Sequence, residues 1–209
     1  MATADEEASQ RATAYRRSAG SPRGEARRRE LLELVTDDLS RNGLVDFSLR
    51  RAARAAGTTH KVLLYYFDGA DDLLAQAIRG LRQRRIDNVL QAANRGRRRR
   101  SLSARVRAVW PALVGEESRV LDQAIGLMMY DSTRYEELGR GASQQYLPAL
   151  VSLCPDGWSE RRKLEVSEMI LAAMRGFLID RLASGNTSGV EAGLAALERA
   201  LDREEAADG

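Results

Sequence analysis

The residues of this chain best suited to chemistry are gathered in one stretch, FSLRRAARAAGTTHKVLLYYF, from Phe47 to Phe67. Ser48, Arg50 and Arg51 stand near its start, and Thr58, Thr59, His60 and Lys61 follow Gly57. Tyr65 and Tyr66 come one to two helical turns later. Hydroxyl, guanidinium and ammonium groups donate hydrogen bonds, and such a set suits a polyanion such as nucleic acid. Elsewhere the reactive inventory is thin. The chain has one His and one Cys, which excludes an intramolecular disulfide framework and a Cys-rich zinc site. His60 has no second His or nearby Cys to share a metal, so it reads as exposed helix surface. Cys154, beside Pro155, reads as a small half-buried residue, because a redox sensor wants an exposed thiol in a positive setting. No nucleophile–base pair, metal cluster or phosphate loop is present, so neither an enzyme nor a bound cofactor or metal is expected.

These donors need elements to aim them. Ser48 is placed to cap a short helix, LRRAARAAG, and Thr58 or Thr59 to cap a second, HKVLLYYF. Gly57 between them permits the positive φ of a tight helix–turn–helix, and Ala52, Ala53, Ala55 and Ala56 let the helices approach closely. In such a unit the second helix enters the major groove while the first crosses the backbone. A preceding helix from Glu25 carries Leu31, Leu32, Val35 and Leu39 on one face and stops at Asn42-Gly43. A long helix follows Asp68-Gly69, from about Asp71 to Asn94, with Leu74, Ile78, Leu81, Val89 and Ala93 as its apolar stripe. Residues 1–24, with breakers at Gly20, Pro22 and Gly24, read as a disordered basic arm. The run RGRRRR (95–100) reads as a solvated linker, with a grip on DNA as the alternative.

Composition fits this division. The 209 residues are 44% hydrophobic, enough for a packed core. The net charge of +3 hides an asymmetry: residues 1–100 hold 21 Lys/Arg against 13 Asp/Glu, and residues 101–209 hold 12 against 17. Either the first half alone meets a polyanion or its charge is a solvated face. No apolar run approaches the roughly 18 residues of a membrane span, and the N-terminal stretch is polar rather than signal-like. A soluble, cytoplasmic protein with no membrane partner is expected.

Beyond residue 100 no alternating strand pattern appears, and the fold class is all-α. Leu102, Val106, Val109 and Leu113 form one stripe, with Pro111 starting, kinking or ending a helix there. Helices follow at Val120–Tyr130, at about Tyr135–Leu153 with Pro148 interrupting, and at Ser159–Ala183. The last of these has two apolar stripes, one through Leu164, Leu171, Met174 and Leu178, the other through Val166, Ile170, Ala173 and Phe177. After the loop 184–189, Val190, Leu194, Leu197 and Leu201 repeat at helical spacing. Two adjacent amphipathic helices suit a four-helix bundle across a two-fold axis, with Ile170, Met174, Phe177, Leu194, Leu197 and Leu201 at the homodimer interface. A wholly intramolecular core is the alternative. Trp110, Met128, Met129, Tyr135, Tyr146 and Phe177 are the aromatic and Met residues expected to line a small-molecule pocket.

Residues 26–80 resemble the DNA-binding domain of the tetracycline-repressor (TetR) family of bacterial regulators. The resemblance rests on the Asn-Gly helix end, Phe47-Ser48, the A-x-x-A-G turn from Ala53 to Gly57, the aromatic cluster Tyr65-Tyr66-Phe67 and the opening D-D-L-L of the next helix. It implies a three-helix head at 25–70 and a helical ligand-binding and dimerisation domain at 71–209. It also implies a homodimeric regulator, most simply a repressor, that binds a double-stranded DNA operator and leaves it when an unidentified small-molecule effector binds. By this resemblance Ser48 contacts phosphate, Arg50 reaches a base edge, and Lys61 and Val62 meet bases, Val62 through a thymine methyl. Tyr65 and Tyr66 match positions touching backbone or flanking bases, and Phe67 the core aromatic. The chain departs from the pattern at Leu64, where Tyr is common, and at Ala70, where Lys is common. The basic arm, with Arg16, Arg17, Arg23 and Arg27–Arg29, is the expected substitute for those phosphate contacts.

Overall fold

Ser21 starts the first helix: its Oγ accepts a hydrogen bond from Gly24 N at 3.1 Å, and Pro22 occupies the first turn. There the missing proline N–H costs nothing and its fixed φ suits the helix, so Pro22 begins the element it was expected to break. The helix accordingly starts at Pro22 rather than Glu25. The computed structural model describes residues 21–94, 100–115, 118–139 and 141–207, which contain ten helices and no strand. They are α1 (Pro22–Asn42), α2 (Leu49–Ala55), α3 (His60–Tyr66), α4 (Ala70–Asn94), α5 (Leu102–Leu113), α6 (Ser118–Tyr130), α7 (Glu136–Gly139), α8 (Ala142–Val151), α9 (Glu160–Ser184) and α10 (Thr187–Ala206). Most of the basic arm and residues 95–99 of the arginine run lie outside the described residues.

The chain forms two compact units, and the division falls inside α4, between Gly80 and Leu81. In the first unit Leu31, Val35, Leu39, Leu63, Leu73 and Ile78 are fully buried. The stripe read from the sequence on α1 is therefore its core face. Gly43 ends α1 at φ +74°, its N–H bonded to Leu39 O at 2.8 Å. At the start of α4 the Asp72 carboxylate accepts from the Asp68 N–H at 3.0 Å and from Gln76 Nε2, so the turn before the helix is tied to its first turns.

In the second unit α10 packs on α5 and α9. Val190, Leu194, Leu197 and Leu201 are buried in the same apolar cluster as Leu102, Val106 and Ile170. Acids from α10 meet the start of α5: the free Leu102 N–H donates to Glu205 Oε2 at 2.8 Å, and the Ser103 hydroxyl donates to Asp202. α9 and α10 approach closely at Gly193, where an added Cβ would lie 2.5 Å from the Phe177 ring. Phe177 in turn stands edge-on to Trp110, with ring centroids 6.4 Å apart. The expected helix over 135–153 is split, with Gly141 at φ +70° capping α8, while Pro148 sits within α8 and Pro111 within α5.

This packing corrects the interface expected at the C-terminus. Ile170, Met174, Leu194, Leu197 and Leu201 are buried inside the single chain, and Phe177 is held between Gly193 and Trp110. These six therefore serve the core of the single chain, and of the two sequence stripes of α9 all but Leu164, which is 48% exposed, fall on one broad inward arc. Its outward face carries Met169, Ala172, Gly176 and Ile179, spaced i, i+3, i+7 and i+10, together with Glu165 and Glu168, all exposed.

Candidate nucleic-acid interface and internal cavity

The head displays its donors through caps made within a few residues. Ser48 caps α2 by accepting from Arg51 N at 3.3 Å, and Thr59 caps α3 by accepting from Val62 N at 3.4 Å. Between them Gly57 adopts φ +59°, and the Thr58 N–H returns to Ala53 O at 2.9 Å. Ala52, Ala53, Ala56 and Leu63 are buried where α2 and α3 meet, and Phe67 is buried just beyond α3. The helix starts therefore point outward as a consequence of what the alanines bury. Ser48, Arg50, Thr59, His60 and Lys61 are exposed, while Thr58, Val62, Tyr65 and Tyr66 are half-buried. Tyr65 and Tyr66 stack edge to face with centroids 4.6 Å apart. Residues 48–66 contain four Lys/Arg and no Asp/Glu, so the face has one sign. Arg54, also exposed on α2 within the alanine run, belongs with this set.

Arg51 has a different occupation from its neighbour. Its Nε donates to Asp38 Oδ2 at 2.7 Å, its Nη1 to Val45 O at 2.7 Å and its Nη2 to Gly43 O at 2.9 Å. The Arg51 and Asp38 side chains are only 14% and 15% exposed, so this guanidinium clamps the α1–α2 loop instead of facing solvent. Arg28 is similarly engaged. It donates to Tyr66 O at 3.2 Å and to Gln76 at 2.6 Å, and covers the Phe67 ring at 5.1 Å. That removes it from the expected phosphate-binding arm and makes it a brace for the end of α3. Leu64, the noted departure, is half exposed on the outer side of α3.

The second unit encloses a cavity of about 350 Å³. Its wall is mostly apolar, drawn from α4 through α9, with Val89, Leu121, Leu150 and Met174 among the contributors. Of the six expected pocket residues, Met128 and Tyr146 line it. Trp110 and Phe177 pack on each other instead, Met129 is 73% exposed, and Tyr135 lies under the Arg134 guanidinium at 5.0 Å. An aromatic or Met side chain at helical spacing fills core as readily as it lines a void, and nothing local distinguishes the two.

The polar groups on the wall are Arg82, Arg85, Asp122, Ser143, Tyr146 and Arg175. Arg85 is buried, donates from Nη2 to Leu113 O at 2.8 Å, and keeps a buried Nε with no acceptor among the described residues. Arg175 donates to Ser143 Oγ at 3.0 Å. Burial pushes the Asp122 carboxyl up from its ordinary range, against the pull of Arg85, and burial pushes the Arg175 guanidinium down. A sign of this chemistry was present in the sequence. Arg82 and Arg85 interrupt the α4 stripe between Ile78 and Val89, at i+4 and i+7, where an apolar residue is the default. Cys154 is buried, with its thiol pushed up by desolvation, which fits the reading of an inert packing residue. Among the described residues no cluster of three or more His, Cys, Asp or Glu could hold a metal. No helix among them is long and apolar enough to cross a membrane.

Neither a family model nor a curated relative matches the chain. Solved structures do. A TetR-family transcriptional regulator from Streptomyces coelicolor superposes with a TM-score of 0.55 at 20% identity, covering 88% of this chain and 84% of that one. A transcriptional regulator from Rhodococcus sp. gives 0.58 at 19% identity, covering 84% and 94%. The multidrug binding protein EbrR, complexed with imidazole, gives 0.60 at 17% identity, covering 86% and 90%. The chain has the all-α fold of TetR-type regulators, with a helix–turn–helix in its N-terminal unit.

Proposed function

We propose that this chain is a TetR-family, sequence-specific DNA-binding regulator of transcription, acting in the cytoplasm as a homodimeric repressor released from its operator by a small molecule. The observation that carries the reading is the acid-free exposed face of α2 and α3, where Ser48, Arg50, Thr59, His60 and Lys61 project from capped helix starts. In this reading α3 enters the major groove. Arg50 and Lys61 meet base edges or phosphates, Val62 meets a methyl, and Thr58, Tyr65 and Tyr66 flank them. Arg51 acts from behind, by fixing the loop that presents α2.

The homodimer forms through the outward face of α9, where Met169, Ala172, Gly176 and Ile179 offer small and apolar surface that one chain leaves uncovered, beside the exposed Glu165 and Glu168. Two heads related by a two-fold axis call for a pseudo-palindromic operator, with half-sites roughly 34–36 Å apart or a small multiple. The effector occupies the cavity of the second unit. α4 supplies core residues to the head and Arg82 and Arg85 to that cavity, so both events bias one helix. The coupling would be typically ~1–3 kcal/mol.

The test is fluorescence anisotropy of the full chain on DNA from upstream of its own gene, against scrambled DNA, across a salt series. Tight selective binding at two protomers or more per site is the expected result. Equal, weak binding to both DNAs, abolished by moderate salt, would leave a charged surface and no regulator.

A further inference from the structure

The cavity is apolar over most of its wall, yet three arginines border it and a single carboxylate among the described residues does. Burying guanidinium groups in such a wall is costly unless each finds an anion or a full set of acceptors. Arg85 has neither in full. Its side chain is more than nine-tenths buried, one nitrogen holds the Leu113 carbonyl, and Nε has no acceptor among the described residues. Asp122 is the nearby carboxylate whose charge acts on Arg85, and its own burial weakens its ionised form. Arg175 gives one nitrogen to a neutral hydroxyl, Ser143, with Tyr146 and Glu168 acting to keep it charged. Arg82 is buried on the same side of α4, one turn before Arg85.

We infer that the cavity binds an organic monoanion, a carboxylic acid with an apolar body, whose carboxylate is received by Arg85 with Arg175 beside it. A guanidinium presents its donors as a planar fork that matches two carboxylate oxygens, and the match is strongest where water is excluded. The remaining wall, including Val89, Leu121 and Met174, takes the body by apolar burial. A volume of about 350 Å³ lies near the small end of ligand cavities, which limits the body to a short chain or one to two rings. A cationic ligand would meet the same arginines as like charges.

The inference rests on the regulator reading only for its consequence at DNA, so the test measures the two separately. Calorimetry on the full-length protein would compare 4-phenylbutanoate with 4-phenylbutanol and 4-phenylbutylamine, and decanoate with decanol and decylamine. In at least one series the acid is expected to bind at least about tenfold more tightly than its neutral and cationic counterparts. Arg85→Met should abolish that preference, the acid losing at least about tenfold and the alcohol clearly less. Should Arg85→Met lose its helical circular dichroism, Arg175→Gln, at a half-buried position, should still narrow the preference by several-fold. Alcohol or amine binding as tight as the acid in both series, a preference surviving Arg175→Gln and a folded Arg85→Met, or no binding of either acid at millimolar concentration would overturn it. Operator binding, read on the same preparations, distinguishes the failures. An acid preference without DNA binding removes the regulator and keeps the site, and selective DNA binding without an acid preference does the reverse.

Discussion

The two units of this molecule carry their polar chemistry in opposite ways. In the head, Arg50 and Lys61 are exposed on helices whose caps and turn are built from neighbours within five residues, while Ala52, Ala53 and Leu63 face inward. In the second unit, Arg82 and Arg85 are buried in an apolar wall that six helices contribute. A surface that meets DNA must keep its charges hydrated until the polyanion arrives, and salt screens it accordingly. A cavity that selects a small molecule can keep its charges dry, where each contact is stronger and each unmet donor more costly. One sequence therefore holds two grammars for arginine, and the neighbours of each Arg decide which applies.

The sharpest way to break this contrast is in the apolar frame of the second unit. Leu194→Ala removes a buried side chain from the α10 face and should cost about 2–5 kcal/mol of stability, measured by urea denaturation. Ala172→Glu, on the exposed face of α9, should leave the folded chain intact yet give monomers in sedimentation. If Leu194→Ala is the one that yields folded monomers, then α10 is interface and the assignment of buried core to it is wrong.

Within the head the contrast narrows to two adjacent residues. Arg51→Ala strands Asp38 and two loop carbonyls and should lower stability by about 2–3 kcal/mol, with Arg51→Lys failing to restore it because one ammonium cannot span three acceptors. Arg50→Ala should change stability by less than about 0.5 kcal/mol. Its cost should fall on DNA, ~1–3 kcal/mol with relaxed preference at one base pair per half-site. A stability loss for Arg50→Ala as large as for Arg51→Ala would erase the difference between surface and clamp.

How much of this was legible follows from how far apart in sequence the partners lie. Ser48 and Thr59 as caps, Gly57 as the turn and the inward stripe of α1 are set by spacings of a few residues, and the sequence pattern carries them. The job of Arg51 needed Asp38, thirteen residues back and folded against it, and Arg28 needed Gln76. The cavity was less legible still. Tyr146 and Met128 line it, Trp110 and Phe177 do not, and only contacts between distant helices separate the pairs. The two stripes of α9 were real, but a helix buried over a broad arc shows several stripes, and the one that matters to a partner is what the arc leaves out.

The smallest expected effect contrasts two glycines, one in each unit, that are needed for different physical reasons. Gly57 stands at φ +59° with nothing within 4 Å of an added Cβ, so conformation alone constrains it. Gly193 lies inside α10, where the backbone suits any residue, but an added Cβ would meet the Phe177 ring at 2.5 Å. Gly57→Ala should therefore cost about 1 kcal/mol, and Gly57→Asn should recover part of it because Asn tolerates the left-handed region. At Gly193 alanine gains roughly 1 kcal/mol of helix propensity but must displace the ring from Trp110, at about 1–3 kcal/mol, for a small net loss. Asn there should be worse than Ala, since it adds bulk. The measurement is the melting temperature of the four variants, and the diagnostic is the order within each pair. The same order at both positions would mean that one cause, steric or conformational, governs both units.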